Sequence, residues 1–99
     1  MQKAHIIGTG SFLPKRILSN KDLENIVDTS DKWITRRTGI KERRISSKLE
    51  NESTTDMGVQ ASLKAIEMAG LSPESIEMIV VGTVTPDRQF PGAACIIQS

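Results

Sequence analysis

From Lys3 to Gly8 the apolar residues crowd together, and the run stops at Gly8-Thr9-Gly10-Ser11 with Pro14 close behind. Such a run, closed by glycines, predicts a short strand entering a tight turn. The rhythm then changes: Leu23, Ile26 and Val27 recur at helical spacing behind Asn20, with Asp22 and Glu24 near the positive end. This predicts a helix of one or two turns capped by Asn20. A second short helix is expected after Thr29 or Ser30, either of which can cap it. Asp31 falls in its first turn, Trp33 and Ile34 follow, Arg36 and Arg37 lie near its negative end, and Gly39 supplies a left-handed stop. Lys41 to Ser47 alternates poorly and is mostly charged, the pattern of an exposed strand or ribbon.

The strongest local signal follows. Ser53-Thr54-Thr55-Asp56 offers caps with an acid three residues on, and the helical pattern runs to Gly70 with Pro73 beyond. Asp56, Gln60, Lys64 and Glu67 form a polar stripe, while Met57, Val59, Ala61, Leu63, Ala65, Ile66, Met68 and Ala69 fill the rest of the arc. So wide an apolar arc predicts packing partners on more than one side. Ser72 to Ser75 reads as a short capped turn. Met78-Ile79-Val80-Val81-Gly82-Thr83-Val84 is a continuous β-branched run, suited to a strand buried on both faces and so to a parallel sheet. Strand, helical crossover and strand make the class α/β, with a right-handed crossover expected. After Phe90-Pro91-Gly92, Ala93 to Ile97 resembles the first turns of an apolar helix without a C-cap. One long helix and one unfinished helix cannot cover both faces of a buried strand. The pattern therefore predicts the N-terminal piece of something larger.

Composition narrows the class further. The 99 residues carry 13 Lys/Arg and 12 Asp/Glu with 3% aromatic residues, and no apolar run approaches the length of a membrane span. The Met1–Ile7 stretch is too short for the hydrophobic region of a secretory signal. One cysteine makes an internal disulfide impossible, and no His/Cys spacing suggests a metal, so a cytoplasmic setting is expected. The near-neutral total hides an asymmetry: residues 1–50 have a net charge of +5 and residues 51–99 of −4. Arg36, Arg37, Lys41, Arg43 and Arg44 fall within nine positions, next to the only tryptophan. That cluster favours an anionic partner.

Three constellations carry candidate chemistry. Gly8-Thr9-Gly10 after a strand suggests a phosphate-cradling loop, but Leu13 stands where a third glycine would fall and Pro14 interrupts the expected helix, so a tight turn is the better reading. Trp33 with Arg36 and Arg37 pairs an indole able to stack a purine with guanidinium forks for phosphate oxygens. That chemistry suits a nucleotide-bearing small molecule. A single-stranded nucleic acid needs more aromatic platforms and more net charge, and an amphipathic helix with solvated arginines needs no ligand at all. Cys95 follows a turn near a helix start, where a thiol pKa can fall, yet its neighbours Ala93, Ala94, Ile96 and Ile97 describe packing. His5 has no Ser, Cys or acid nearby in sequence and is read as structural.

The segments Ile6-Ile7-Gly8-Thr9-Gly10-Ser11-Phe12-Leu13-Pro14, Val27-Asp28-Thr29-Ser30-Asp31-Lys32-Trp33-Ile34 and Arg37-Thr38-Gly39-Ile40-Lys41-Glu42-Arg43 closely resemble the N-terminal part of the β-ketoacyl-acyl-carrier-protein synthase III family. The likeness resumes at Ala65 to Gly70, at Ile79-Val80-Val81 and at Phe90 to Cys95. It implies a thiolase-like α/β fold, layered α-β-α-β-α when complete, of which residues 1–99 form part of the first half, ending inside a helix. It also implies a cytoplasmic homodimeric acyltransferase of fatty acid biosynthesis. That enzyme condenses an acyl-CoA, usually acetyl-CoA, with malonyl-acyl carrier protein through a Cys-His-Asn triad. No catalytic residue of that triad is expected before Ser99, and the isolated chain is expected to be inactive.

What the resemblance carries onto this chain concerns coenzyme A. Trp33 matches a tryptophan that stacks the adenine, Thr29 a threonine that hydrogen-bonds near it, and Arg37 an arginine along the entrance tunnel. Phe90 matches a residue that reaches across the dimer to line the partner's acyl pocket, and Val84 stands where a relative can carry a hydroxyl. The coenzyme A thioester is a substrate, and no permanent cofactor, metal, nucleic acid or membrane is implied. The acyl carrier protein would dock through regions absent here. A thiolase-fold condensing enzyme of secondary metabolism and a non-catalytic CoA- or nucleotide-binding module are the alternative readings.

Overall fold

The computed structural model describes residues 2–99, so Met1, which opens the Met1–Ile7 stretch, lies outside the described residues. The chain divides into two units, one of residues Leu13–Glu50, the other of residues up to Phe12 together with Asn51–Ser99.

In the Leu13–Glu50 unit, β1 (Arg16–Ser19) pairs antiparallel with β2 (Glu42–Ile45), Arg16 facing Ile45 and Ser19 facing Glu42. The ribbon read from Lys41 to Ser47 is therefore present. Between the strands lie α1 (Asn20–Glu24) and α2 (Asp31–Thr38). The cap of α1 is Ser19, not Asn20. Ser19 Oγ accepts from the Asp22 backbone at 3.2 Å, and Asp22 Oδ2 accepts from the Ser19 backbone at 3.0 Å. The Ser-x-x-Asp spacing makes this reciprocal box, which moves Asn20 into the first helical position and leaves its side chain free to turn inward. The helix also stops before Ile26 and Val27, whose amides both return to the Leu23 carbonyl in a turn. In α2 the cap falls on Ser30, whose Oγ accepts from Trp33 N at 3.1 Å, and Gly39 ends the helix at φ 72°, a conformation that a Cβ would strain.

In the other unit, α3 (Thr54–Ala69) starts in a second capping box, Ser53 with Asp56, and stops at Gly70, as the sequence predicts. Residues 8–11 run along a row of small side chains on this helix. A Cβ on Gly8 would strike the carbonyl of Ala65, and one on Gly10 the carbonyl of Ala61, with Ala65 N only 2.6 Å away. Thr9 N donates to Met68 Sδ at 3.3 Å, and Lys64 Nζ donates to the Ser11 carbonyl at 3.2 Å. Gly8-Thr9-Gly10 is thus neither a phosphate loop nor a tight turn. Its glycines are there because a backbone lies directly on a helix.

Nearer the start of α3 sits α4 (Ala93–Gln98), close enough that a Cβ on Gly58 would lie 2.8 Å from Ile97 Cδ1. The wide apolar arc accordingly has two partners. Ala93, 6% exposed, is the buried apolar side chain of this unit among the described residues. At Pro73–Ser75 the expected turn forms, with Ser75 Oγ donating to the Ser72 carbonyl at 2.7 Å in place of a side-chain cap from Ser72.

The expected parallel sheet is the main difference. Among the described residues the only sheet is β1 with β2, and no backbone hydrogen bond joins residues 3–8 or 78–84 to another strand. A strand exists only where a second backbone meets its edge. Here residues 8–12 meet a helix instead, Ile6 and Ile7 stand 87% and 63% exposed, and Val80 and Val84 stand 86% and 97% exposed. Among the described residues no helix is long and apolar enough to cross a membrane.

Candidate functional site

The side chain that organises the Leu13–Glu50 unit is Asn20, 1% exposed. Its Nδ2 donates to Asp31 Oδ1 at 2.7 Å, to the Ile40 carbonyl at 2.8 Å and to Thr35 Oγ1 at 3.3 Å. Its Oδ1 accepts from an Arg43 guanidinium nitrogen at 2.7 Å, while a second Arg43 nitrogen reaches the Leu18 carbonyl at 3.2 Å. One buried amide thereby ties both ends of α2 to the ribbon. The bonds from Asn20 and then Thr35 hold the Asp31 carboxyl below the usual carboxylate range.

The helix so anchored presents Trp33 and Arg37 one turn apart. Trp33 is 56% exposed, and the Arg37 guanidinium lies 5.5 Å from its ring centroid. The remaining exposed indole area is a flat π surface with a cation fixed beside it. Thr29, half-buried, sits just before the cap. Its backbone N–H donates to the Val27 carbonyl at 2.9 Å, and its hydroxyl has no hydrogen-bond partner among the described residues. The N-terminus of α2 is already occupied, because Glu24 Oε1 accepts from Asp31 N at 2.7 Å while Ser30 takes Trp33 N. An anion approaching α2 therefore meets side-chain cations and, of the first-turn amides, only that of Lys32 without an acceptor among the described residues.

The basic cluster divides into two roles. Arg43 is spent on Asn20 and Leu18, and Arg44 donates to the buried Pro14 carbonyl at 2.9 Å. Arg36, Arg37 and Lys41 remain exposed, and Lys21 and Lys32 join Arg36 and Lys41 around a shallow concavity beside α2. Three of the five clustered charges are thus available to a partner.

Phe90 belongs to the other unit, 90% exposed at the end of a loop whose Phe90–Pro91 peptide is cis. Asp87 holds that loop. Its Oδ1 accepts from Thr54 N at 3.1 Å and its Oδ2 from Thr55 N at 2.9 Å and from Thr55 Oγ1. Bonds from the Thr55 hydroxyl, and then the Thr55 amide, pull the Asp87 carboxyl below its ordinary value. Cys95 lies in α4, exposed, on the wall of an open cleft of about 840 Å³ that α4 shares with Val59, Leu63, Ile66 and Ile79. Ser62, Glu74, Glu77 and Gln98 also line that cleft, and Cys95 has no hydrogen-bond partner for its thiol among the described residues. His5 is exposed.

The structure therefore brings Thr29, Trp33 and Arg37 together on one helix and its entry, and puts Phe90 in the other unit. The sequence reading missed Asn20 as a hub and Asp87 as a clamp. Ser19-x-x-Asp22 held the signal for the first. For Asp87 no local signal exists, since its partners lie more than 30 residues away.

No protein-family model matches the chain. Among curated proteins it is 57% identical over 96 residues to a β-ketoacyl-[acyl-carrier-protein] synthase III of Caldanaerobacter subterraneus subsp. tengcongensis, covering 97% of this chain and 28% of that protein. Among solved structures, 3-oxoacyl-[acyl-carrier-protein] synthase III of Aquifex aeolicus VF5 superposes with a TM-score of 0.89 at 55% identity, over 94% of this chain and 29% of the other. The priming β-ketosynthase of the R1128 polyketide biosynthetic pathway matches with a TM-score of 0.88 at 39% identity, over 94% of this chain and 27% of the other. The chain is thus homologous over nearly its whole length to these condensing enzymes and spans under a third of theirs. Its α/β class is that of the corresponding part of their thiolase-like fold.

Proposed function

From homology to β-ketoacyl-acyl-carrier-protein synthase III over nearly all of its length, we propose that this chain supplies part of the coenzyme A site of such an enzyme. In this reading residues 1–99 belong to the first half of a longer thiolase-like polypeptide. Met78, Val80 and Val84, which are 79%, 86% and 97% exposed, support it, because such apolar side chains call for cover. The complete protein is a cytoplasmic homodimer that takes an acyl group from acyl-CoA and extends it with malonyl-acyl carrier protein, starting fatty acid synthesis. A cysteine thiolate outside this chain attacks the thioester carbonyl and expels the coenzyme A thiol. Decarboxylation of the malonyl group yields an enolate that attacks the acyl-enzyme and returns the thiolate, with paired donors stabilising each oxyanion.

Within that scheme the residues of this chain bind and orient. Trp33 stacks the adenine, Arg37 meets a phosphate oxygen, the Thr29 hydroxyl bonds at the adenine edge, and Phe90 lines the acyl pocket across the dimer. No resident cofactor is needed. The observation that carries the reading is the pair formed by an exposed indole and a guanidinium 5.5 Å from its centroid, on a helix fixed from below by Asn20.

The test is calorimetric titration of the full-length enzyme with coenzyme A. Stacking a base on an aromatic ring is worth about 1–3 kcal/mol, so Trp33→Ala should weaken binding by roughly 5- to 150-fold. An unchanged Kd would remove Trp33 from the site. The likeness to the priming ketosynthase favours a second reading, in which the same scaffold primes a polyketide. Rates with different acyl-CoA primers and malonyl carriers separate the two.

A further inference from the structure

Phe90, 90% exposed, has almost no packing to fix where its ring projects. The loop that carries it is fixed three residues earlier. Asp87 spreads both carboxylate oxygens over the first turn of α3, taking Thr54 N, Thr55 N and Thr55 Oγ1. On the other side of Pro86, Thr54 Oγ1 donates to the Thr85 carbonyl at 2.9 Å, and Thr85 N donates to Thr83 Oγ1 at 3.1 Å. The helix's own box uses the Asp56 amide, so the Thr54 and Thr55 amides are left for an acceptor from outside. A carboxylate there gains from charge-assisted bonds and from the positive end of the helix.

We propose that Asp87 is a positioning residue for acyl-chain selection: by clamping the loop to α3 it fixes the reach of Phe90 and hence the length of acyl chain accepted. The inference rests on the reading of Phe90 as an acyl-pocket residue. It adds a cause for that residue's placement, one that acts from outside the pocket and touches no substrate.

The experiment measures kcat/KM of the full-length enzyme for acetyl-CoA and hexanoyl-CoA in the wild type, Phe90→Ala, Asp87→Ala and Thr55→Val. Near-UV circular dichroism checks that each variant is folded. Releasing the clamp should lower the acetyl-to-hexanoyl ratio on the order of tenfold, the scale of discrimination by apolar pocket contacts. Thr55→Val, nearly isosteric, should shift it in the same direction by less. It also keeps the question answerable should Asp87→Ala fail to fold. A ratio altered by Phe90→Ala but not by Asp87→Ala or Thr55→Val overturns the clamp and leaves the pocket reading standing. Equal loss of both rates, with the ratio intact, assigns Asp87 a purely structural role and also overturns it. A ratio unmoved by Phe90→Ala refutes the pocket reading, and the inference falls with it.

Discussion

Replacing Asn20 by alanine tests whether one buried amide holds the candidate ligand-binding helix in place. The side chain is 1% exposed and joins Ile40, Thr35, Asp31 and Arg43 at 2.7 to 3.3 Å. Truncation leaves the Ile40 carbonyl without its amide donor, removes the acceptor of an Arg43 nitrogen, and opens a small void. A lost hydrogen bond costs about 1 kcal/mol when neutral and somewhat more when one partner is charged, with a further increment for the void. The bond to Asp31 is left out, because that carboxylate regains water readily. The sum is about 2–3 kcal/mol, felt within residues 13–50. Hydrogen exchange on the full-length enzyme should therefore show the amides of Trp33–Thr38 opening roughly 30- to 150-fold more often, at 1.4 kcal/mol per tenfold. Amides within Thr54–Ala69 should keep their wild-type protection. Asn20→Asp should be no better than alanine, since it places a second carboxylate where the amide donates to Asp31. Unchanged exchange in α2, or equal acceleration in α3, would refute the assignment of Asn20 as the anchor of this helix.

Gly10→Ala should lower the Tm of the full-length enzyme, because the new Cβ meets backbone of α3 and not a yielding side chain, an overpacking cost of about 1–3 kcal/mol. Ser53→Ala removes half of the α3 capping box and should speed exchange in the first turn of that helix about fivefold, the equivalent of ~1 kcal/mol. Asp22, Asp31 and Asp87 all have folded-state pKa values below their ordinary ones, through bonds led by Ser19, Asn20 and Thr55 respectively. Their stabilisation is complete above the unfolded carboxylate value of about 3.9 and is lost as pH falls through the lowered values. The stability gap between wild type and Asp87→Asn, followed by far-UV circular dichroism in urea, should accordingly shrink below about pH 4. A gap constant from pH 7 to pH 3 would contradict this.

The helices were legible because their signals are local. Ser30 and Gly39 bracket α2, Ser53 and Gly70 bracket α3, and each pair lies within one element whose hydrogen bonds it completes. The Ser19/Asp22 box was equally local and was misread by one residue, which hid the inward turn of Asn20. The strands were not legible in the same way. Ile6-Ile7 and Ile79-Val80-Val81 announce burial and β preference, but the ladder depends on a second backbone that sequence periodicity does not locate. Of the candidate site, Trp33 and Arg37 could be paired from their four-residue spacing on a helix. Asp87 could not be paired with Thr55 by any spacing rule, because that contact is created by the return of the chain to the start of α3.

The two helix starts also explain why the candidate ligand site is built from side chains. A helix N-terminus is the obvious place for a phosphate, and the starts of the two longer helices, α2 and α3, are well formed. The protein's own groups take most of their amides: Glu24 and Ser30 take those of Asp31 and Trp33 in α2, leaving only that of Lys32, while Asp87 and Ser53 take those of α3. The glycines that resemble a phosphate loop are likewise consumed, by Ala61 and Ala65. Arg43 and Arg44 are committed to the ribbon and its approach. What remains open to an anion is the exposed side of α2, with Lys32, Arg36 and Arg37 beside the indole. Charge recognition by such exposed groups is screened by salt, whereas stacking on the indole is not. In the proposed coenzyme A site the Arg37 contribution should thus fade between about 50 mM and 500 mM salt while that of Trp33 persists, an asymmetry that a phosphate seated on backbone amides would not produce.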